Sequence, residues 1–421
     1  MLWSKSSTFF EKIYFLFLAL FIALPVTDYI LRNVLGIIIL AALWHNLLLL
    51  GGLSLVGLRI LVGNPRRSTT LSKTILTLIL VGTAYLALDL TTLGTNFEGF
   101  RAVFQYMLVF FVAFYLNDRP ENTKSLLSLA VVIGTLIALY GIYQWIVKVP
   151  MPGDWVDTTE SVRTRAFSIL GSPNALGSHM AMVASIALGL LMQEENRRKQ
   201  LLWLGAFGIM VVCLVFTGSR GAWLAFAGAI GIIGIIYDRR ILMAGIIFAA
   251  AAVIFVPAVS HRVTYLFTPE YMTKSASSGR ISRWFEAYDQ MRNSPIFGAG
   301  LGHFGGAVAK RHYNTIYVDN YYMKTLAEMG LLGLSLFLWL IFRTLREGYN
   351  AMKKLNSPRL KFMAMGMFGG LLASVMHNAV ENIFEIPYLN IYFWLIAGLL
   401  VALPFNAAKT GGDSDNVKKI S

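Results

Sequence analysis

The chain has 421 residues, of which 56% are hydrophobic and only 14% charged, with a mean hydropathy of +0.62 and a net charge of +14. A soluble domain carries about a quarter charged residues and could not hide this much apolar surface, so a soluble fold is excluded. The basic residues are dispersed among short loops, the pattern that orients a membrane protein, which argues against a nucleic-acid partner.

In chain order, apolar runs long enough for helices fall at about 13–31, 34–58, 74–94, 102–117, 125–148, 175–192, 201–217, 222–237, 241–258, 321–342, 362–380 and 388–404. A membrane-spanning helix needs about 20 such residues, and the alternation of a membrane β-barrel is absent. The expectation is an all-α, polytopic single membrane domain over 1–421 with about twelve spans and a disordered cytoplasmic tail at 406–421. The N-terminal run is followed at once by further spans and by no small-residue cleavage site, so it reads as an anchor helix. With the N-terminus inside, NPRRSTTLSK, NDRPENTK, EENRRKQ, DRR, RTLREGYNAMKKLNSPRLK, the tail and Lys5 and Lys12 hold 21 of the 36 Lys and Arg residues. Both termini are therefore expected in the cytoplasm. The one cysteine, Cys213, excludes an intrachain disulfide.

Three outside regions stand apart: PMPGDWVDTTESVRTRAFSILGSPNAL, the tight turn GSRG between two apolar runs, and a long connection over 259–320. They hold Arg163, Arg165, Arg220, Arg262, Arg280, Arg283, Arg292 and Arg311 against Lys274 and Lys310. Arginine presents a planar fork that grips phosphate oxygens bidentately and stays charged where water is scarce. The cluster points to a phosphate or other anion at the outer membrane surface, with lipid head groups or pairing to Asp154, Asp157, Glu160 and Glu270 as the plainer alternative. Arg220, flanked by Gly218 and Gly221, has almost no loop to live in. SSGRISRWFEAYDQMRN reads as an amphipathic interfacial helix over 277–293 capped by Ser277 or Ser278. Its stripe is Ile281, Trp284, Phe285, Tyr288 and Met291. NSPIFGAGLGHFGG after it is turn-rich. His45, Asp89 and His179 fall in apolar runs and are expected to face the bundle interior. Glu328 is expected to serve helix packing. His377, with Glu381 and Glu385 nearby in SVMHNAVENIFEIP, could line an acceptor cleft.

The ordered set TGSRGAW, GRISRW, SPIFGAGLGHF and DNYYMKTLAEMGLLGL resembles the O-antigen ligase and Wzy polymerase superfamily, and RAFSILGSPNALG upstream resembles its Pro-Asn segment. The resemblance covers about 160–400. It implies a GT-C-like glycosyltransferase in the cytoplasmic (inner) membrane, with its active site on the periplasmic, extracytoplasmic side. The donor is a glycan on undecaprenyl diphosphate; the acceptor is a hydroxyl of a glycan or lipid, such as lipid A-core; inversion is expected, and no cofactor or metal. Arg220 and Arg280 match the arginines of the first two motifs and would bind the diphosphate and act in catalysis, with Arg283 and Arg165 beside them. Where many ligases carry a His-Asn pair, this chain has Asp319-Asn320. Asp319 would then be the base, or else it caps the helix from Tyr321, and His303, His312 or His377 takes the acceptor side. The alternative is a polymerase joining two undecaprenyl diphosphate-linked glycans, which suits a surplus of outside arginines. A transporter of an anionic lipid is the distant third, since no internal repeat is visible.

Overall fold

The computed structural model describes residues 2–62, 68–151 and 164–410. The expected tail beyond Thr410, Arg163 and the loop acids Asp154, Asp157 and Glu160 lie outside the described residues. Among the described residues the fold is all-α, without strands.

The chain opens with α1 (Leu2–Ile22) and α2 (Leu24–Tyr29), which meet at a 62° bend beside Pro25. Proline lacks the N–H that would continue the helix. Then come α3 (Ile38–Leu61), α4 (Thr70–Leu86), α5 (Leu93–Phe104), α6 (Val109–Leu116), α7 (Pro120–Ile146), α8 (Pro173–Gln193), α9 (Arg197–Phe216) and α10 (Arg220–Ile236). The second half holds α11 (Arg239–Phe255), α12 (Pro257–Tyr265), α13 (Pro269–Ser277), α14 (Arg280–Asn293), α15 (Ala307–Tyr313), α16 (Tyr321–Lys354), α17 (Pro358–His377) and α18 (Pro387–Thr410). Among the described residues, eight helical segments are long and apolar enough to cross a membrane, and ten if the α1/α2 and α11/α12 pairs each count as one. The expected twelve is not reached because α4 and α10 have 17 residues each, roughly 25 Å of helix at 1.5 Å per residue. The protein is a multi-pass membrane protein.

Helices α8 and α18 are 83% buried across their apolar windows, against 22% for α3 and α9, so they form the axis of the bundle. Helix α8 packs on α17 at close range because glycine faces glycine: a Cβ on Gly189 would stand 2.8 Å from the Gly366 Cα and 2.6 Å from the Phe362 carbonyl oxygen. The helix ends sort into two groups. One is tied by Arg59 and Lys409 on Asp118, Arg119 on Glu11 at 3.0 Å, Lys124 on Glu194 at 3.2 Å and Arg359 Nε on Glu195 at 3.1 Å. These are the segments that loop charge leads one to expect in the cytoplasm. The other group carries the clustered arginines.

Candidate active site

The N-terminus of α8 is set by sequence chemistry. Ser172 accepts from the Ala175 N–H at 3.3 Å and Pro173 supplies the pre-bent first residue,. Asn174 is thereby held in the first turn, where its Oδ1 accepts from Arg165 Nη2 at 3.0 Å and its Nδ2 donates to Glu381 Oε2. Arg165 also donates through Nε to the Thr217 carbonyl at 2.7 Å, at the last turn of α9.

The GSRG turn packs onto this pair. Gly218 has φ +59°, and a Cβ there would stand 3.1 Å from Arg262 Nε and 3.5 Å from Arg165 Nε. A side chain would be strained in that conformation and would crowd the Arg262 guanidinium,. Arg220 is the first residue of α10, its guanidinium 5.1 Å from the Tyr271 ring centre and 5.8 Å from that of Tyr265. Gly221 lets α10 approach the end of α17, since a Cβ on it would meet Val380 at 2.6 Å and the His377 ring at 3.1 Å.

Helix α14 begins at Arg280, not at 277, and Gly279 occupies its cap position without a side-chain hydrogen bond. Ser277 and Ser278 do not cap it: Ser277 ends α13, and the Ser278 N–H donates to the Lys274 carbonyl at 3.1 Å. The expected apolar stripe divides. Trp284 and Met291 turn inward with Ala287, which packs with Val318 and Ala327, while Phe285 and Tyr288 face outward. Arg283 is spent on protein: it donates to the Gly279 and Tyr317 carbonyls at 3.2 Å each and pairs with Asp319 Oδ2 at 2.8 Å. Arg280 differs. Its Nε has no hydrogen-bond partner among the described residues, and its ion pair there, with Glu381 Oε2, is a long 3.8 Å.

Both motif arginines thus stand at the first position of a helix whose N-terminus has no side-chain cap. A cation is disfavoured at that positive pole, where backbone N–H groups lack partners and an anion is favoured. The arrangement makes electrostatic sense with an anion between the two helix starts.

Asp319 is not the cap of α16. Asn320 is, accepting from the N–H groups of Tyr322 at 3.0 Å and Met323 at 3.1 Å. Asp319 instead sits at φ +52° with its carboxylate on Arg283, a left-handed conformation that costs a non-glycine residue about 1–2 kcal/mol. Below it, α16 is broken at Gly330 (φ 66°, ψ −166°). The SPIFGAG segment fills the gap: Leu331 N–H donates to the Pro295 carbonyl at 2.8 Å, and Gly300 N–H to the Glu328 carbonyl at 2.9 Å. A Cβ on Gly298 would stand 2.4 Å from the Glu328 carbonyl carbon. Glu328 is therefore more than helix packing. Its carboxylate accepts from Gly302 N–H at 3.1 Å and pairs with buried Lys324 at 2.5 Å, which reaches Glu385 at 3.2 Å. Glu385 in turn accepts from Ala307 N–H at 2.8 Å and Tyr317 Oη at 2.9 Å. Burial and the Glu385 charge raise the Tyr317 pKa, keeping its proton for this bond.

These elements converge on residues 377–382, just after α17. The Tyr321 N–H donates to the Asn378 carbonyl at 2.9 Å, the Asn320 N–H to Asn382 Oδ1 at 3.1 Å, and Asn382 Nδ2 to the Gly305 carbonyl at 3.0 Å. His377 is buried at the centre, its Nδ1 without a hydrogen-bond partner among the described residues. Burial pushes the Glu381 carboxyl up to about 7; the Asp319 charge adds to the rise, while Arg280 and the Asn174 hydrogen bond oppose it. His303 and His312 are not brought here. His303 stacks on Tyr313 with centroids 5.0 Å apart, and His312, with Arg311, faces Glu98 of α5. Asp89 leaves its apolar run for an exposed turn, where the hydroxyls of Thr91 and Thr92 and the Thr91 N–H hold it down to about 2. Among the described residues no three His, Cys, Asp or Glu side chains group as metal ligands. Sequence reasoning missed Tyr265 and Tyr271 as the aromatic walls of Arg220, and the link from Asn174 to Glu381.

Residues 205–338 match the model of the O-antigen ligase family. The match starts within α9, takes in TGSRG, GRISRW, SPIFGAGLGHF and Asp319, and ends past the Gly330 break. No curated protein matches the chain. The O-antigen ligase family implies a ligase- or polymerase-type, glycosyltransferase-like enzyme that works on lipid-linked glycans. Arg165, Asn174 and residues 377–382 lie outside the matched segment and pack against it.

Proposed function

We propose that this protein is a ligase-type glycosyltransferase of the GT-C kind that moves a glycan from undecaprenyl diphosphate to an acceptor hydroxyl at the outer face of the cytoplasmic membrane. The observation that carries this reading is Arg280, a guanidinium with donors to spare at an uncapped helix start, beside a second motif arginine at another. The diphosphate lies between the starts of α10 and α14. The acceptor oxygen attacks the anomeric carbon from the opposite face, the glycosyl–phosphate bond breaks, and the diphosphate leaves with the electron pair. Arg220, Arg280 and the helix N-termini stabilise the charge that develops on it. Asp319, on the far side of Arg283, takes the proton of the acceptor hydroxyl.

The surplus of outside arginines would favour a polymerase, which holds two lipid diphosphates. Three of that surplus pair with protein carboxylates instead, Arg283 with Asp319, Arg292 with Asp289 at 3.4 Å and Arg311 with Glu98 at 3.2 Å, which supports one diphosphate site and the ligase reading. The test is turnover by purified protein of an undecaprenyl diphosphate-linked oligosaccharide with and without a second acceptor. Transfer only when that acceptor is supplied is expected. Ladders of longer lipid-linked glycan in its absence would make it a polymerase, and full activity of Arg280→Ala would overturn the diphosphate site.

A further inference from the structure

The position of Glu381 raises a question that the proposed reaction leaves open. The carboxylate is buried, yet it is placed beside Arg280, a motif arginine whose Nε has no hydrogen-bond partner among the described residues. It is anchored from the other side by Asn174, which also holds Arg165. A relaxed buried ion pair would close to below 3 Å and satisfy several N–H groups; this one stays at 3.8 Å, with Arg280 Nε unpartnered. Resting on the proposed diphosphate site, we propose that Glu381 is a positioning residue that competes with the donor's diphosphate for Arg280 and yields it on binding.

The charges around Glu381 show what yielding requires. Facing it are Asn174 on α8 with Arg165 behind it, Arg280 on α14, and Asp319 before α16 with Arg283 across from it. His377 on α17 and the Tyr317 and Glu385 pair stand near, and Arg220 begins the neighbouring α10. Of the cations, Arg283 is committed to Asp319 and Arg165 to Asn174 and the Thr217 carbonyl, so Arg280 is the one that offsets the Glu381 charge directly. A diphosphate that takes Arg280 leaves a buried carboxylate facing two phosphate charges and Asp319. It relieves this by taking one proton from solvent, since an unpaired buried charge is far costlier than a neutral carboxyl. The linkage sign follows. Bound donor raises the Glu381 pKa, so binding takes up a proton, is tightest below the free-state value of about 7 and weakens as pH climbs through it,. The acid also resets the site: when the diphosphate leaves, Glu381 ionises and reclaims Arg280.

The test uses the full-length protein in nanodiscs and a farnesyl diphosphate-linked sugar, a diphosphodiester whose charges do not titrate between about pH 5.5 and 8.5. Calorimetry in two buffers of different ionisation enthalpy reads proton uptake directly. Wild type is expected to take up about half a proton at pH 7, rising toward one at about pH 8,, and to bind about fivefold or more weakly at the alkaline end than at the acid end. Glu381→Gln is expected to bind as tightly as acid-form wild type at every pH, with no uptake. The same pH slope in Glu381→Gln as in wild type, weaker binding by Glu381→Gln at every pH, or no proton uptake by wild type would each overturn the proposal. Arg280→Ala separates the two readings: binding that survives its removal would refute the diphosphate site itself, whereas binding lost there with no pH dependence in wild type would refute only the role of Glu381.

Discussion

At the scale of single residues, the clustered arginines are unequal, and their hydrogen bonds say which matter to an incoming anion. Arg283 is fully engaged with Asp319 and two carbonyls, whereas Arg280 is not. Arg280→Ala should lower turnover about 10²-fold or more, the usual cost of one transition-state donor. Arg280→Lys should recover little of it, because an ammonium cannot span two phosphate oxygens as the fork does; kcat/KM on a lipid-linked oligosaccharide reads both. Asp319→Asn isolates chemistry from backbone, since asparagine tolerates the left-handed φ of +52° as well as aspartate does,. If Asp319 is the base, the variant should keep its fold and lose about 10²-fold or more in transfer. Local signals made part of this legible: arginine between glycines in TGSRG marks a tight turn with one cation at a helix start. The choice between Asp319 and Asn320 was not legible. Both residue types cap helices equally well, and what separates them is Arg283, 36 positions upstream in the chain and brought close only by folding.

At the scale of elements, the decisive feature is how SPIFGAG docks against the break in α16. From sequence the glycines of that stretch promise a turn and close backbone approach, but what they approach, and a break at Gly330 inside the expected span 321–342, do not follow, because the residues after it, LLGLSLFLWL, stay apolar. Only the contact between the two segments explains both. Gly298→Ala should lower the thermal midpoint by several degrees, because its Cβ would stand 2.4 Å from the Glu328 carbonyl carbon in a left-handed conformation,. Lys324→Met is a sharper probe of the same region. It strands Glu328 and Glu385 without their shared cation, a loss on the order of 3–5 kcal/mol for a buried pair, and a thermal melt of the purified protein measures it. The start of α14 shows why element ends read poorly from sequence: three serines precede Gly279, each a fair cap, and the helix begins after the glycine instead.

At the scale of the whole molecule, hydropathy and loop charge carried most of the information. Every apolar run became a helix, and the ion pairs join the segments assigned to one side only with each other. Two bends and two short helices escaped, for proline-directed kinks and helix lengths are set at single residues that a window average passes over. Sidedness is open to a direct check. On a Cys213→Ala background, Arg292→Cys should react with a membrane-impermeant thiol reagent in intact spheroplasts, and Arg359→Cys only after permeabilisation. Both native side chains are well exposed, at 68% and 62%. The opposite labelling would invert the topology and put the candidate site in the cytoplasm.

The break at Gly330 also bears on the order of biosynthesis. The stretch 321–329 is too short to cross a bilayer; its last carbonyls accept from the N–H groups of Ala299 and Gly300, while Leu331 and Leu332 past the break donate to the Pro295 and Ile296 carbonyls. That partner stretch leaves the ribosome first and, with the sidedness expected from loop charge, is already across the membrane when α16 arrives. The helix that carries Asn320, Lys324 and Glu328 is thus completed from outside, after insertion, by a strand of chain waiting there. Pulse-labelled protein caught before that docking should be fully inserted, protease-sensitive near 295–302 and inactive, a late maturation step that belongs to the site and not to the spans.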